Sequence, residues 1–192
     1  MAHGLLLAAG AGRRMGLPKA LVTAPDGVPW LLTSVRALAE GGCDAVTVVL
    51  GASAEEAAAL LADSPVEVIV AADWENGMGA SLAAGLRHLG ALDQRPDAAL
   101  VHLVDLPDVG PAVIRRVLGA GEQLPSAAST EVLRRAAYRA VPGHPVLLGR
   151  AHWAGILDSA TGDQGARSYL ASHDVALVEC GNLATGDDVD HA

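Results

Sequence analysis

The stretch Leu5-Leu6-Leu7-Ala8-Ala9-Gly10-Ala11-Gly12-Arg13-Arg14-Met15-Gly16-Leu17-Pro18-Lys19 lies near the start of the chain and decides its fold. Its first five residues form a continuous apolar run that ends at Gly10, which is typical of a buried parallel strand. The glycines that follow leave backbone N–H groups at the end of that strand, where an anion can be held. The stretch therefore predicts a parallel α/β sheet with an anion-binding loop at its carboxyl edge.

Strand and helix patterns alternate through the rest of the first 118 residues. Apolar runs predict strands at 44–50, 66–70 and 98–104, and helical patterns predict helices at 29–40, 80–89 and 111–118. Ser53, with Glu56 three residues later, predicts a capping box for a further helix that ends at Ala62. Beyond Gly119 the less regular pattern predicts strands at 133–141, 146–148 and 175–179 and a helix at 163–172. We expect an open, mostly parallel sheet with helices on both faces and an antiparallel edge.

Composition limits the classes of protein to which the chain can belong. With 192 residues and 51% hydrophobic composition, it can bury one core, and we expect a single domain over residues 1–192. Its net charge of −9 argues against a nucleic-acid surface. No apolar run reaches the roughly 20 residues that cross a bilayer, and the first arginines follow the opening apolar stretch, unlike those of a signal peptide. We expect a cytoplasmic protein in which Cys43 and Cys180 are buried free thiols.

Lys19 is the only lysine among the 13 basic residues of the chain. An acidic protein that binds a polyanion must concentrate its few cations at the binding site. The loop is neither a dinucleotide fingerprint, since Met15 stands where the third glycine is required, nor a Walker A loop, since Leu17-Pro18 separates Gly16 from Lys19. The loop could be a solvated turn whose charges have no ligand. The pattern favours the other interpretation, in which Arg13, Arg14 and Lys19 face an anion.

Five further motifs follow in order along the chain, at 73–82 (Asp-Trp-Glu-Asn-Gly-Met-Gly-Ala-Ser-Leu), 104–107 (Val-Asp-Leu-Pro), 142–146 (Pro-Gly-His-Pro-Val), 162–167 (Gly-Asp-Gln-Gly-Ala-Arg) and 188–190 (Asp-Val-Asp). With the opening L-A-A-G-x-x-x-R-M-G-x-P-K-x-L, they resemble the molybdopterin nucleotidyltransferases, which comprise a cytidylyltransferase and a guanylyltransferase. Ala8-Ala9-Gly10 is similar to the cytidylyl branch, whereas the guanylyl branch usually has A-G-G there. The resemblance implies a Rossmann-like fold of the nucleotide-diphospho-sugar transferase (glycosyltransferase-A-like) type.

The resemblance also implies a reaction, the transfer of CMP from CTP to a molybdopterin-type phosphate acceptor with release of pyrophosphate. It assigns catalysis to Arg14, Lys19 and Asp105, and a Mg²⁺ (or Mn²⁺) ion to Asp105 and Asp190. It assigns nucleotide binding, within a half spanning about 1–118, to Leu7, Ala8, Ala9, Gly10, Gly12, Arg14, Lys19, Gly79 and Ser81. It assigns acceptor binding, within a half spanning about 119–192, to His144, Asp163 and Arg167.

Each of these side chains has a simpler interpretation. Asp105 and Ser81 could cap the structure that follows them, and His144 could be a turn residue. Asp190 could belong to a frayed acidic tail, because the T-P-E-D of the family does not follow it. Arg167 could pair with Asp163 at i,i+4. The pairs Arg115-Arg116 and Arg134-Arg135 are interpreted as solvated faces.

Other functions remain open on the same motifs. The fold could use GTP, or a different phosphorylated acceptor such as a sugar phosphate or a cofactor precursor. The chain could instead be a catalytically weak chaperone that binds the cofactor and delivers it to a molybdenum hydroxylase. Under the leading hypothesis, too, a molybdenum hydroxylase would receive the cofactor.

Overall fold

Seven strands form one sheet within residues 1–13, 15–119, 130–160 and 162–189, the part of the chain that the computed structural model describes. In chain order they are β1 (Ala2–Ala8), β2 (Ala45–Leu50), β3 (Glu67–Val70), β4 (Ala98–Leu103), β5 (Leu133–Tyr138), β6 (Val141–Gly149) and β7 (Ala176–Glu179). In space the order is β3-β2-β1-β4-β6-β5-β7.

The strand directions confirm a mostly parallel sheet with an antiparallel extension. β1 is parallel to both of its neighbours, β2 and β4, and β2 is parallel to β3. β6 is antiparallel to β4 and to β5, whereas β7 is parallel to β5. The antiparallel strand therefore lies inside the sheet, and not at its edge as the sequence suggested.

Helices cover both faces of the sheet. They are α1 (Trp30–Gly41), α2 (Ala54–Leu60), α3 (Met78–Ala91), α4 (Pro111–Leu118), α5 (Trp153–Ser159) and α6 (Arg167–Ala171). Buried residues of α1, α2 and α4 form one core cluster with the sheet, and those of α3, α5 and α6 form the other. Because β1 and β4 contribute to both clusters, neither strand shows the alternation of a half-exposed strand.

Three local predictions need correction. The capping box at Ser53 is wrong, because Ser53 adopts φ 51° and its side chain makes no capping hydrogen bond, although α2 does follow it. The helix predicted at 163–172 is shorter, because Gly165 adopts φ +52° between the turn Gly162–Gln164 and α6. The strand predicted at 146–148 extends to nine residues in β6.

Two predictions about the whole chain can also be compared with the described residues. Both cysteines are free thiols, as predicted, but only Cys180 is buried, whereas Cys43 is half-buried. Within the described ranges, no helix is both long enough and apolar enough to cross a bilayer.

Candidate functional site

A cleft of about 830 Å³ opens at the carboxyl ends of β1 and β4. Its floor is formed by the glycine-rich loop after β1 and by the residues that follow β4, and Trp74, Met78 and Ser81 lie on its wall. Carboxyl edges of parallel sheets are where such folds bind ligands, because the strand ends and the following loops converge there. The cleft is therefore the candidate site.

The glycine-rich loop folds back on itself at this edge. The Met15 N–H donates to the Gly12 carbonyl at 2.8 Å, and the Lys19 N–H donates to the Gly10 carbonyl at 3.3 Å. Gly12 adopts φ +57°, and a Cβ there would collide with the backbone oxygen of Leu17. Glycine is required at this position both by its conformation and by the close approach of the two backbone segments.

Lys19 and Asp105 form an ion pair beside the loop. Lys19 Nζ donates to Asp105 Oδ2 at 2.6 Å, and the two side chains are only 17% and 14% exposed. Asp105 follows β4 and Lys19 follows the loop after β1, and these strands are neighbours, so their carboxyl ends place the two residues together. The pair sets an ammonium, which can neutralise phosphate charge, next to a carboxylate, which can bind a cation.

The C-terminal segment brings a second carboxylate to the cleft. Asp108 Oδ2 accepts hydrogen bonds from the Thr185 N–H at 2.6 Å and from its hydroxyl at 2.7 Å, and the Val189 N–H donates to the Asp105 carbonyl at 3.0 Å. These bonds hold the segment against the loop after β4, and Asp188 lines the cleft. Sequence reasoning missed Asp188 as a site residue, although it is the first aspartate of the Asp-Val-Asp motif.

The carboxylates of Asp105 and Asp188 fit a divalent cation. Mg²⁺ is usually bound through one or two carboxylates together with substrate phosphates and water, and does not need a cage of protein ligands. The described residues contain no group of three or more His, Cys, Asp or Glu side chains that could hold a metal by themselves.

The cleft brings together many, but not all, of the residues predicted for the site. Those that line it are Leu7, Ala9, Gly10, Gly12, Lys19, Ser81, Asp105 and Arg167. Ala8 points into the core instead, and Gly79 lines a separate cavity of about 350 Å³. Arg14, Asp190 and the side chain of Asp163 lie outside the described part of the structure.

His144 lies on β6 and is half-buried, outside the lining of the cleft. Its carbonyl accepts a hydrogen bond from the Tyr138 hydroxyl at 2.6 Å. Burial, and then the charges of Arg135, His102 and Arg167, together lower the pKa of His144 to about 3. The imidazole is therefore neutral at pH 7 and lies within electrostatic reach of Arg167.

Trp74 and Met78 were quoted in a motif but not singled out from the sequence as site residues. Trp74 lies in the turn Trp74–Asn76, and a Cβ on Gly51 would contact its ring, so the indole packs closely against the strand end after β2. An aromatic residue in a turn shortly after the end of a strand is the signal that could have identified it.

Comparison with known proteins agrees with this geometry. Residues 4–177 match the family described as the MobA-like NTP transferase domain. Over 197 aligned residues, the chain is 35% identical to the nicotine blue oxidoreductase of Paenarthrobacter nicotinovorans, covering 97% of this chain and 91% of the relative.

Solved structures support the same fold. The structure of Rv0371c from Mycobacterium tuberculosis H37Rv superposes with a TM-score of 0.77 at 30% identity, covering 99% of this chain and 92% of that one. A second structure of Rv0371c is a complex with manganese, with a TM-score of 0.75 at 26% identity over 98% and 93% of the two chains. A nucleotidyl transferase from a Methanothermobacter species has the same fold, with a TM-score of 0.79 at 24% identity over 100% and 92%.

Proposed function

Because the chain belongs to the MobA-like NTP transferase domain family, we propose that it transfers CMP from CTP to the phosphate of a molybdopterin-type acceptor. The observation that carries this proposal is the pair of Lys19 and Asp105, held at 2.6 Å beside a glycine-rich loop in a cleft at the carboxyl edge of the sheet. Nucleotide contacts then come mainly from residues 1–118, and acceptor contacts from the segment after residue 119.

The reaction needs charge neutralisation more than it needs a base. An oxygen of the acceptor phosphate forms a bond to the α-phosphorus of CTP, the bond to the β-phosphate oxygen breaks, and pyrophosphate leaves. A phosphate monoester has a second pKa near 6, so the nucleophile is largely a dianion at pH 7. In this proposal Lys19 and the backbone N–H groups of the loop hold the β- and γ-phosphates, and Ser81 orients the nucleoside.

Asp105 and Asp188 would hold the divalent cation, with Asp190 as a further candidate. The cation, Mg²⁺ or Mn²⁺, supplies neutralisation of the phosphate oxygens when it is bound. The manganese complex of Rv0371c supports a divalent metal for this fold.

The preference for CTP rests on the alanines before the loop. Ala9 lines the cleft and is 6% exposed, so its methyl group occupies space that a glycine would leave to a larger base. This shape favours a pyrimidine over a purine.

We expect CTP with Mg²⁺ to raise the melting temperature more than GTP with Mg²⁺ does. A ligand at about 100 times its Kd stabilises the folded protein by about 2.7 kcal/mol, which at roughly 2–4 °C per kcal/mol is a shift of about 5–10 °C. The measurement is a thermal-shift panel of the four nucleoside triphosphates, with and without Mg²⁺. A larger shift with GTP would reverse the assignment of the base.

A redox reaction of nicotine blue is a second candidate function, because the relative that is 35% identical over 97% of this chain is named nicotine blue oxidoreductase. The two functions predict different products. The transferase releases pyrophosphate from CTP when a molybdopterin acceptor is present, whereas the oxidoreductase changes the redox state of nicotine blue and releases no pyrophosphate. The loop lacks the G-x-G-x-x-G spelling of a dinucleotide site, so we expect pyrophosphate release; redox conversion of nicotine blue without such release would favour the oxidoreductase.

A further inference from the structure

Two arginines outside the glycine-rich loop, Arg135 and Arg167, lie on elements that contribute to the same core cluster. Leu133 of β5 and Leu170 of α6 belong to the same buried cluster. Arg135 lies two residues after Leu133, on the same side of β5, and Arg167 lies one helical turn before Leu170. Both arginines therefore face the side of the sheet that α6 covers.

The chain directions place both arginines toward the carboxyl edge. β5 runs toward that edge, because it lies parallel to β4 across the antiparallel strand β6. α6 runs back from the edge, because it precedes β7, which is parallel to β5. Arg135 follows Leu133 along β5 and Arg167 is the first residue of α6, so both lie nearer the edge than the leucines of their own elements.

Arg135 is held in place, contrary to the interpretation of Arg134-Arg135 as a solvated face. Its side chain is half-buried, and its Nε donates to the Gly143 carbonyl of β6 at 2.8 Å. This bond fixes the orientation of the guanidinium plane. A fixed plane loses less conformational entropy when it binds a ligand than a freely rotating side chain does.

The positive charge of Arg167 acts on the guanidinium group of Arg135. Burial, and then the charge of Arg167, lower the pKa of Arg135. Among the side chains that the structure describes, no carboxylate forms an ion pair with either arginine. In a protein with a net charge of −9, two positive charges on the same side of the sheet favour the binding of an anion.

We propose that Arg135 and Arg167 together bind a phosphate dianion, and that this dianion is the phosphate of the acceptor. Guanidinium groups bind phosphate through two parallel hydrogen bonds, and two of them can hold one phosphate from two sides. Arg167 lines the cleft, so the bound phosphate faces the nucleotide site while Lys19 holds the leaving pyrophosphate. Arg135 lies outside every motif of the family resemblance.

The identity of the anion as the acceptor rests on the proposed function, whereas the binding of phosphate does not. The experiment therefore uses inorganic phosphate and a readout specific to these residues. Phosphate is titrated into the ¹⁵N-labelled protein, and the Nε–Hε signals of the arginines are followed by NMR. The signals of Arg135 and Arg167 are assigned from their absence in Arg135→Gln and Arg167→Gln.

We expect both signals to shift along one binding curve with a single Kd. In Arg135→Gln, the Kd reported by the Arg167 signal should rise about tenfold, which is the loss expected for one charge-assisted contact. The matched control is Arg134→Gln, which removes the same charge from the adjacent position of β5, on its other side, and should change that Kd less than about twofold. Arg135→Lys keeps the positive charge but lacks the planar guanidinium that donates two parallel hydrogen bonds, and it should give an intermediate Kd.

An Arg167 signal that ignores phosphate, or that responds equally in Arg135→Gln and the original protein, would overturn the inference. The proposed function is tested separately by adding CTP and Mg²⁺ to the same samples. CTP should bind with the same affinity in Arg135→Gln and Arg134→Gln, because neither residue is among those that line the cleft. Failure of CTP to bind would count against the proposed function, but it would not contradict the binding of phosphate by Arg135 and Arg167.

Discussion

Replacing Lys19 by alanine is expected to reduce pyrophosphate release from CTP by about 10²- to 10³-fold, the loss typical of removing one preorganised group that stabilises charge in a transition state. Lys19 is the only lysine of the chain, so no other ammonium can replace it at the leaving pyrophosphate. The Kd for CTP should also rise, because the same charge holds the β- and γ-phosphates in the ground state.

The measurement has to separate lost chemistry from lost stability. Lys19→Ala leaves Asp105 without its 2.6 Å partner in a place where the carboxylate is only 14% exposed, and this destabilises the cleft. Melting temperature and CTP binding are therefore measured beside turnover, in Lys19→Ala and in Lys19→Ala with Asp105→Ala. The double variant should regain part of the lost stability but none of the activity.

Arg95→Ala provides a control for the change of net charge. Arg95 is exposed, and its carbonyl accepts a hydrogen bond from Arg150 at the opposite edge of the sheet, before β4 begins. The variant removes one positive charge, as Lys19→Ala does, and should retain turnover within about twofold. Unchanged kinetics in Lys19→Ala, or an equal loss in Arg95→Ala, would remove Lys19 from the catalytic assignment.

The strands around the site could be predicted because they are buried on both faces. β1 and β4 are mostly apolar, each with one histidine, and the runs end at Gly10 and Asp105; neighbouring parallel strands place such ends together. The length of β6 was underestimated, because Pro142, Gly143 and Pro145 indicate a turn when only the local sequence is considered. Pairing with β4 and β5 makes the whole segment a strand. Tertiary pairing there overrides local preference.

The parts of the site that were missed depend on contacts distant in sequence. Asp188 reaches the cleft because Thr185 is bonded to Asp108, and no local pattern shows that bond. Arg135 looks like a surface arginine in the sequence, and only the pairing of β5 with β6 and its hydrogen bond to the Gly143 carbonyl reveal that it is half-buried. Such residues are recognised from the assembled sheet and not from their spacing.

The protein is expected to lose stability steeply as the pH falls from about 6.5 to 4. His102 lies in β4, fully buried, and neither of its ring nitrogens has a hydrogen-bond partner among the described residues. Burial lowers the pKa of His102 to about 4, although the charge of Asp108 opposes this effect, and the pKa of His144 is lowered to about 3. Both imidazoles are therefore kept neutral by folding.

The sign follows from proton linkage. Well above pH 6.5 both imidazoles are neutral in the folded and unfolded states, and they contribute no pH dependence. Between pH 6.5 and about 4, the unfolded chain binds protons that the folded protein excludes, so the free energy of unfolding falls by about 1.4 kcal/mol per pH unit for each group. Over that range His102 alone would cost on the order of 3 kcal/mol, a large part of the 5–15 kcal/mol typical of a domain.

Urea unfolding at several pH values between 7.5 and 4.5 measures this effect, with His102→Leu and His144→Asn as the decisive variants. His102→Leu should be at least as stable as the original protein at pH 7.5, because it replaces a buried imidazole without hydrogen-bond partners by an apolar side chain of similar size. Between pH 6.5 and 4 it should also reduce the pH dependence of the free energy of unfolding by the contribution of one proton, about 1.4 kcal/mol per pH unit. His144→Asn should reduce it by the contribution of a second proton. If the slope in His102→Leu equals that of the original protein, the acid sensitivity arises elsewhere, and the neutral His102 in the core is not its cause.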